Sequence, residues 1–272
     1  MYEAEISRRN PGLFLFLLDQ SRSMSHKLSG GERSKAVEAT DAINKQIAEL
    51  INRCTKSEGV RHYFDLGVIG YGFERSGAAG LISDAPVPIT EMENVIKKME
   101  TRKEKVDDQE VEFQYPVWFE PVAASDTPMV SALKLAKEWV EKWVQDHQYS
   151  YPPVVINISD GESTDGSPTD ISKELAELST KDGKTMLWNC HLSESSAQPV
   201  SFPEDESKLP QEKYASTMFS ISTVLPDSML AIAREEYQDV TTGARAYVFN
   251  ARLEDLIKLL DIGTRVAYSR VK

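Results

Sequence analysis

Hydrophobic residues along the chain alternate between continuous runs and helical spacing. Apolar runs at 13–19 (LFLFLLD), 62–72 (HYFDLGVIGYG) and 153–160 (PVVINISD) predict strands that are buried on both faces. Between them, apolar residues spaced three and four positions apart predict amphipathic helices over 33–54 and 129–143. This alternation predicts an α/β fold with a central, mostly parallel sheet that is covered by helices on both faces.

The rest of the chain continues the pattern with shorter elements. It predicts a short edge strand at 86–89, strands at 184–192 and 246–250, and helices at 169–181, 226–237 and 253–269. Residues 100–120 read as an irregular acidic insertion, and residues 193–215 read as a polar surface excursion. Because no repeat, low-complexity tract or linker occurs, we expect one domain over 1–272, with a core of about 12–265.

Composition and charge restrict the kinds of partner and the cellular compartment that we expect for this protein. The chain is 40% hydrophobic and 27% charged with a net charge of −12, which argues against nucleic acid and anionic membranes as partners. No apolar run approaches the length of a membrane span, and the first residues lack the apolar core of a signal peptide. Cys54 and Cys190 are far apart and lack metal-ligand spacing, so we expect buried thiols and a cytoplasmic protein.

Oxygen-bearing side chains follow the predicted strands at three places. Asp19, Ser21 and Ser23 follow the first strand, Thr127 precedes the helix over 129–143, and Asp160 ends the strand over 153–160. Alternate residues of an extended segment project to the same side, so Asp19, Ser21 and Ser23 can converge on one point. Ligands bind at the carboxyl edge of open α/β sheets, and oxygen ligands suit a hard cation. The sequence therefore predicts a metal site at this edge.

The order DxSxS at 19–23, Thr127 in TPMVSAL, and Asp160-Gly161 after an apolar strand resembles the metal-ion-dependent adhesion site of von Willebrand factor A (vWA) domains. The resemblance covers roughly residues 12–265 and implies a Rossmann-like vWA fold. It implies that Ser21 and Ser23 bind Mg²⁺ directly, with Mn²⁺ or Ca²⁺ as alternatives. It further implies that Asp19 and Asp160 bind the ion mostly through water molecules and that Thr127 alternates between direct and water-mediated contact. An acidic side chain of a partner protein would complete the coordination shell.

More loosely, the chain resembles the bacterial intracellular, tellurite-resistance-type branch of these domains. The segments that carry this likeness are HLSES…FPEDESKLP, TTGARAYVFNA and the closing DIGTR. The branch implies a role in a stress-response or defence system beside a MoxR-type AAA ATPase, a kinase or a phosphatase. These features predict a cytoplasmic, non-enzymatic adaptor or scaffold that recruits a protein partner.

The chain departs from the usual vWA pattern at two positions and carries extra acids nearby. Arg22 and Asp126 stand where glycine is frequent, and Glu162 and Asp165 add negative charge. These acids could hold water or a second cation, could repel an acidic ligand, or could be solvated loop residues. Thr127 taken alone is also a candidate N-cap of the following helix.

Other readings of the same stretches remain as alternatives. Asp19 and Ser21 could cap the helix that follows them or form an Asx turn. LSGGE at 28–32 matches an ATPase signature loop but lacks any accompanying phosphate-binding loop. We interpret Ser29-Gly30-Gly31 as a turn, with Ser29 or Gly31 beginning the helix. A metal-dependent phosphotransferase or phosphatase is the enzymatic alternative, although the three loops contain no lysine to neutralise a phosphate. A structural subunit with a vestigial metal site is the third class of function.

Overall fold

The computed structural model describes residues 2–73, 77–106, 109–194, 196, 198–211 and 213–269. The strands in this part of the chain are β1 (Gly12–Asp19), β2 (Thr55–Lys56), β3 (Gly59–Val60), β4 (Phe64–Tyr71), β5 (Ala78–Gly80), β6 (Val87–Pro88), β7 (Lys98–Val106), β8 (Gln109–Val117), β9 (Val154–Ser159), β10 (Met186–Leu192), β11 (Val200–Ser201) and β12 (Tyr247–Ala251). The α-helices are α1 (Lys35–Cys54), α2 (Met129–Asp146), α3 (Thr169–Glu177), α4 (Lys213–Ile221), α5 (Asp227–Glu236) and α6 (Leu253–Ser269).

The main sheet has eight strands, and β1 lies near its centre. Its order is β11-β12-β10-β9-β1-β4-β5, with β6 also paired to β4. All pairings from β12 to β4 are parallel, whereas β11, β5 and β6 join the edges in the antiparallel direction. The central, mostly parallel sheet predicted from the hydrophobic runs is therefore confirmed.

The continuous apolar run of β1 is explained by burial on both of its faces. Phe14, Phe16 and Leu18 pack into a core under α1, α5 and α6, and residues 13, 15 and 17, all Leu, pack into a second core under α2, α3 and α4. All eight residues of β1 are buried. Burial of each large apolar side chain contributes roughly 1.5–3 kcal/mol, so β1 anchors both layers and holds the strand end at Asp19 in place.

Most predicted elements occur close to their expected positions. However, α1 begins at Lys35 with Ser34 as its N-cap, because the Ser34 hydroxyl accepts a hydrogen bond from the Val37 amide (3.3 Å). The prediction that Ser29 or Gly31 begins this helix was therefore wrong. Those residues form a turn in which Gly30 has a φ of 73° and the Gly31 amide donates to Leu28 O (2.9 Å).

The predicted irregular insertion at 100–120 is instead a long antiparallel hairpin of β7 and β8. Val111, Phe113 and Tyr115 alternate with polar residues as a strand requires, but charged neighbours conceal this period in the sequence. Arg102 donates a hydrogen bond to Asp41 on α1 (2.9 Å), which attaches the hairpin to the helix. Residues 107 and 108 of the predicted insertion lie outside the described residues.

The predicted surface excursion at 193–215 also contains regular structure. Within it, strand β11 pairs with β12 at the edge of the sheet, and α4 begins at Lys213. Residues 195, 197 and 212 of the excursion lie outside the described residues. Cys54 and Cys190 are buried and free, as expected. None of the described helices is both long and apolar enough to cross a bilayer.

Candidate metal centre

The predicted site lies where the chain changes direction across the sheet. From β1 the chain proceeds to β4 on one side, and it later returns to β9 on the other side. Asp19 is the last residue of β1 and Asp160 directly follows β9, so both lie at the carboxyl edge on either side of this switch point. Such a crevice between neighbouring parallel strands is the usual ligand position in open α/β sheets.

Asp19 is a fully buried carboxylate that is held by short hydrogen bonds. Its Oδ1 accepts from the Ser21 amide (2.8 Å) and its Oδ2 accepts from the Ser159 hydroxyl (2.6 Å). Burial raises the pKa of Asp19 to about 6, against the effect of these hydrogen bonds. A cation close to this carboxylate would offset the cost of burying its charge.

Ser21, Ser23 and Asp160 form a continuous chain of oxygen atoms. The Ser21 and Ser23 hydroxyl oxygens are 3.1 Å apart, and the Ser23 hydroxyl donates to Asp160 Oδ1 (2.7 Å). A short 3₁₀ helix over Arg22–Ser25 turns Ser23 back towards the sheet. The first and third predicted loops therefore converge, as the spacing of the acids and hydroxyls predicted.

Thr127 is brought to the same edge by backbone contacts from both neighbouring loops. The Arg22 amide donates to Ser125 O (2.9 Å), while Thr127 and Thr164 exchange two hydrogen bonds through the Thr127 amide (3.0 Å) and the Thr164 amide (2.9 Å). The Thr127 hydroxyl lies 3.7 Å from where a Cβ on Gly161 would be. The structure thus brings all five predicted residues together: Asp19, Ser21, Ser23, Thr127 and Asp160.

Neither capping alternative describes these residues. Thr127 precedes Pro128, which is the N-cap of α2 and has no side-chain cap hydrogen bond. Asp19 and Ser21 lie well before α1, whose cap is Ser34. The hydroxyls of Ser21 and Thr127 therefore do not serve as helix caps. The Asx turn does occur, because Asp19 Oδ1 accepts a hydrogen bond from the amide two residues further on, that of Ser21 (2.8 Å).

A lysine that the sequence analysis did not consider enters the site from α1. Lys35 Nζ lies 2.5 Å from Asp160 Oδ2 and 2.9 Å from Glu194 Oε1, and the lysine side chain is only 3% exposed. Lys35 is the first residue of α1, where a cation is disfavoured by the helix dipole unless a carboxylate compensates it. That unusual position is the signal in the sequence that could have identified it.

The comparison with solved structures supports the fold. No family model matches the chain, and no curated protein matches it. Among solved structures, the pilus adhesin SpaC from Lactobacillus rhamnosus GG superposes with a TM-score of 0.54 at 10% identity, covering 97% of this chain and 31% of that chain. The fold is of the vWA type.

Two further matches are weaker. The PilB minor pilin from Streptococcus sanguinis has a TM-score of 0.47 at 11% identity and covers 96% of this chain and 62% of that chain. The vWF domain of the pili tip protein Mfa5 from Porphyromonas gingivalis has a TM-score of 0.32 at 14% identity, covering 57% and 39%. This chain thus spans less than two thirds of each of the three structures.

Asp165, one of the extra acids, has a structural role in this vWA-type fold. Its carboxylate accepts hydrogen bonds from the amides of Val130 (3.0 Å) and Ser131 (2.9 Å) and from the hydroxyls of Ser131 (2.8 Å) and Ser163 (2.9 Å). Partial burial raises the pKa of Asp165, but these hydrogen bonds outweigh it and lower the pKa below its usual value. Asp165 therefore caps the first turn of α2 from a separate loop.

The other two extra acids face solvent. Glu162 pairs with Lys213 of α4 (3.0 Å), and both side chains are largely exposed. Asp126 is exposed beside Thr127. Glu162 and Asp165 thus each have partners outside the five predicted residues.

The donor set at this edge of the sheet fits a hard cation. Two carboxylates and three hydroxyls supply oxygen atoms only. Among the described residues, no group of three or more His, Cys, Asp or Glu side chains is placed to hold a metal, so the hydroxyls are essential to any binding. Oxygen ligands with little formal charge suit Mg²⁺, whereas Zn²⁺ prefers nitrogen and sulfur. Lys35 places a positive charge at this edge that opposes a cation.

Proposed function

We propose that this protein is a Mg²⁺-dependent binding module that recruits a protein partner through an Asp or Glu of that partner. The supporting observation is the convergence of Asp19, Ser21, Ser23, Thr127 and Asp160 at one edge of the sheet. Mn²⁺ or Ca²⁺ could substitute, because the ligands are all oxygens. The module acts as an adaptor or scaffold and not as an enzyme.

Each residue has a role that follows from its chemistry. The hydroxyls of Ser21, Ser23 and Thr127 would hold the ion without neutralising it, while Asp19 and Asp160 supply the balancing negative charge. When bound, the ion offers an electrophilic position to an external carboxylate. Asp19 is fixed by Ser21 and Ser159, so the site is preorganised and little ordering cost accompanies ligand binding.

Metal binding is tested by calorimetric titration of Mg²⁺ and Mn²⁺ into the wild type and into Ser21→Ala and Thr127→Ala. We expect each variant to bind at least about 10-fold more weakly, because even an outer-sphere residue commonly contributes that factor. Ser163→Ala is the matched control, since its hydroxyl contacts Asp165 on the same edge and does not reach Ser21 or Asp160. Equal affinities in all four proteins would contradict the assignment of the ligands.

Partner recruitment is tested by affinity capture in Mg²⁺ and in EDTA, with wild type and Ser21→Ala as baits. A partner that uses the ion is retained only by the wild type in Mg²⁺. Replacing each exposed Asp or Glu of that partner by Asn or Gln should then identify a single side chain on which binding depends. Capture that persists in EDTA would remove the proposed mechanism.

A phosphotransferase or phosphatase is the second candidate, and one observation favours it. Lys35 places a positive charge against Asp160, which is a group that a phosphate-transferring site needs. Turnover of a generic phosphate ester in Mg²⁺ that disappears in Asp19→Ala would support this enzyme class. A structural subunit with a vestigial site is indicated if no saturable metal binding occurs in the wild type.

The cellular setting that we propose follows from the sequence. The two free, buried cysteines favour the bacterial cytoplasm. The tellurite-resistance-type likeness favours a stress-response or defence system with a MoxR-type AAA ATPase, a kinase or a phosphatase as partner. Cell fractionation with detection of the native protein tests the compartment.

A further inference from the structure

We propose that Lys35 is a built-in cation that competes with the metal for Asp160 and thereby sets the metal affinity of the site. This inference rests on the proposed function, because it assigns a regulator to the same metal centre. Lys35 belongs to none of the three loops that carry the five predicted ligands. It reaches the site from the first turn of α1.

The Lys35 side chain is buried and in contact with the site. Its ammonium lies 2.5 Å from Asp160 Oδ2, and the Asp160 side chain has no exposed surface. Its own side chain is 3% exposed, so solvent cannot screen this interaction as it screens surface ion pairs. The Lys35 amide donates to His26 O (2.9 Å), which fixes the point from which the side chain reaches the site.

Charge balance gives the direction of the effect. Asp19 and Asp160 together supply two negative charges, and Lys35 cancels one of them before any metal arrives. A metal must then bind beside an ammonium that already occupies one oxygen of Asp160. An opposite charge within about 4–6 Å weakens proton binding by a carboxylate about 10- to 1,000-fold. It should weaken the binding of another cation in the same direction. Removing the charge of Lys35 should therefore strengthen metal binding.

Glu194 opposes Lys35 from the solvent side. Its Oε1 lies 2.9 Å from Lys35 Nζ and 2.8 Å from His26 Nδ1, and its side chain is 53% exposed. Because the Glu194 carboxylate partly neutralises the lysine, it weakens the hold of Lys35 on Asp160 and so favours metal binding. The loop is also held by a backbone hydrogen bond from the Ser29 amide to Ser193 O (2.8 Å). A substitution at Glu194 therefore changes charge without releasing the loop.

The test is titration of Mn²⁺ and of Mg²⁺ by calorimetry at low salt, with Mn²⁺ electron paramagnetic resonance as a second measurement. Lys35→Met removes the charge and keeps the apolar stem, and we expect metal binding at least about 10-fold tighter than in the wild type. Glu194→Gln should bind about 2- to 5-fold more weakly, as expected for a half-exposed charge. Lys45→Met, an exposed lysine of α1, is the control and should be unchanged.

The outcomes separate this inference from the proposed function. Equal or weaker metal binding by Lys35→Met, or tighter binding by Glu194→Gln, overturns the role of Lys35 and leaves the metal site intact. If Lys35→Met does not fold, the result for Glu194→Gln decides. Saturable binding by Lys35→Met and none by the wild type supports the inference while contradicting the proposed function. No saturable binding by the wild type or any variant refutes both.

Discussion

Among the described residues, the buried charged side chains at the two ends of the sheet each have a partner. At the end of the sheet opposite to the metal centre, the Asp65 carboxylate accepts a hydrogen bond from the Trp143 indole (2.7 Å) and lies 2.7 Å from His62 Nε2. His147 stacks on Trp143 with ring centroids 4.5 Å apart. Asp65 is thus satisfied by a histidine three residues away and by a tryptophan of α2, whereas Asp160 pairs with a lysine at the start of α1.

The ion pair of His62 with Asp65 makes stability depend on pH. The hydrogen bond to Asp65 raises the pKa of His62 above 6.5 in the folded protein, despite partial burial of the ring. The stabilisation is complete below the unfolded-state pKa of 6.5 and is lost as the pH rises through the folded-state pKa. We expect the free energy of unfolding of the wild type, measured with urea, to fall across this window.

His62→Gln keeps a hydrogen-bond donor near Asp65 but cannot titrate. Its unfolding free energy should therefore change less with pH above 6.5 than that of the wild type. An identical pH profile for the two proteins would show that His62 does not carry this dependence.

At the scale of elements, the turn after β4 connects the first loop of the metal centre to the second. Gly72 has a φ of 95°, and its carbonyl accepts a hydrogen bond from the Ser125 amide (2.9 Å). A Cβ at this position would collide with the backbone carbonyl of Asp126 and would lie 3.0 Å from the Ser21 amide nitrogen. The placement of Thr127 beside Ser21 therefore depends on glycine at this turn.

Gly72→Ala should reduce both stability and metal affinity. We expect a loss of roughly 1–3 kcal/mol in the free energy of unfolding from the left-handed backbone conformation alone, with more from the collision. Metal titration should show weaker binding, because the loop that carries Thr127 must move. Gly77→Ala is the control, since a Cβ there meets nothing within 4 Å and its φ is not left-handed. Wild-type affinity in Gly72→Ala would show that this turn does not position Thr127.

At the scale of the whole molecule, the metal centre joins segments that are far apart in the sequence. The Ser23–Asp160 hydrogen bond spans 137 residues, and the Lys35–Glu194 contact spans 159 residues. A polar chain behind the site joins strands in the same way, from the Tyr71 hydroxyl to Asn157 (2.8 Å) and from Asn157 to Asn189 (3.0 Å). An unfolded chain cannot present these groups together, so a ligand of the site binds only the folded state.

Mg²⁺ should therefore raise the melting temperature of the whole protein. At a concentration 100 times the dissociation constant, binding to the folded state alone contributes about 2.7 kcal/mol. For a chain of this size that corresponds to roughly 5–10 °C. Thermal unfolding in Mg²⁺ and in EDTA measures the shift, and Ser21→Ala should show little of it. An equal shift in both proteins would indicate binding elsewhere on this acidic surface.

The core elements of the fold and the candidate site residues could be predicted from the amino-acid sequence. Continuous apolar runs such as 13–19 have one stable placement, a strand buried on both faces, and parallel strands end at one edge of a sheet. Asp19, Ser21 and Ser23 occupy alternate positions of one segment, so local backbone geometry alone can direct them to the same side. For these reasons the α/β fold and the convergence of the five predicted residues could be predicted without coordinates.

The side chains that reach the site from distant segments, and the loops that form regular structure, could be identified only from the folded chain. The position of Lys35 at the start of α1 indicates a nearby carboxylate but does not identify it as Asp160, and nothing near Asp165 in the sequence indicates that it caps α2. The β7–β8 hairpin was missed because charged residues conceal a two-residue period in a ribbon with little apolar surface. Local patterns record what each segment buries, whereas contacts between segments depend on how the whole chain packs.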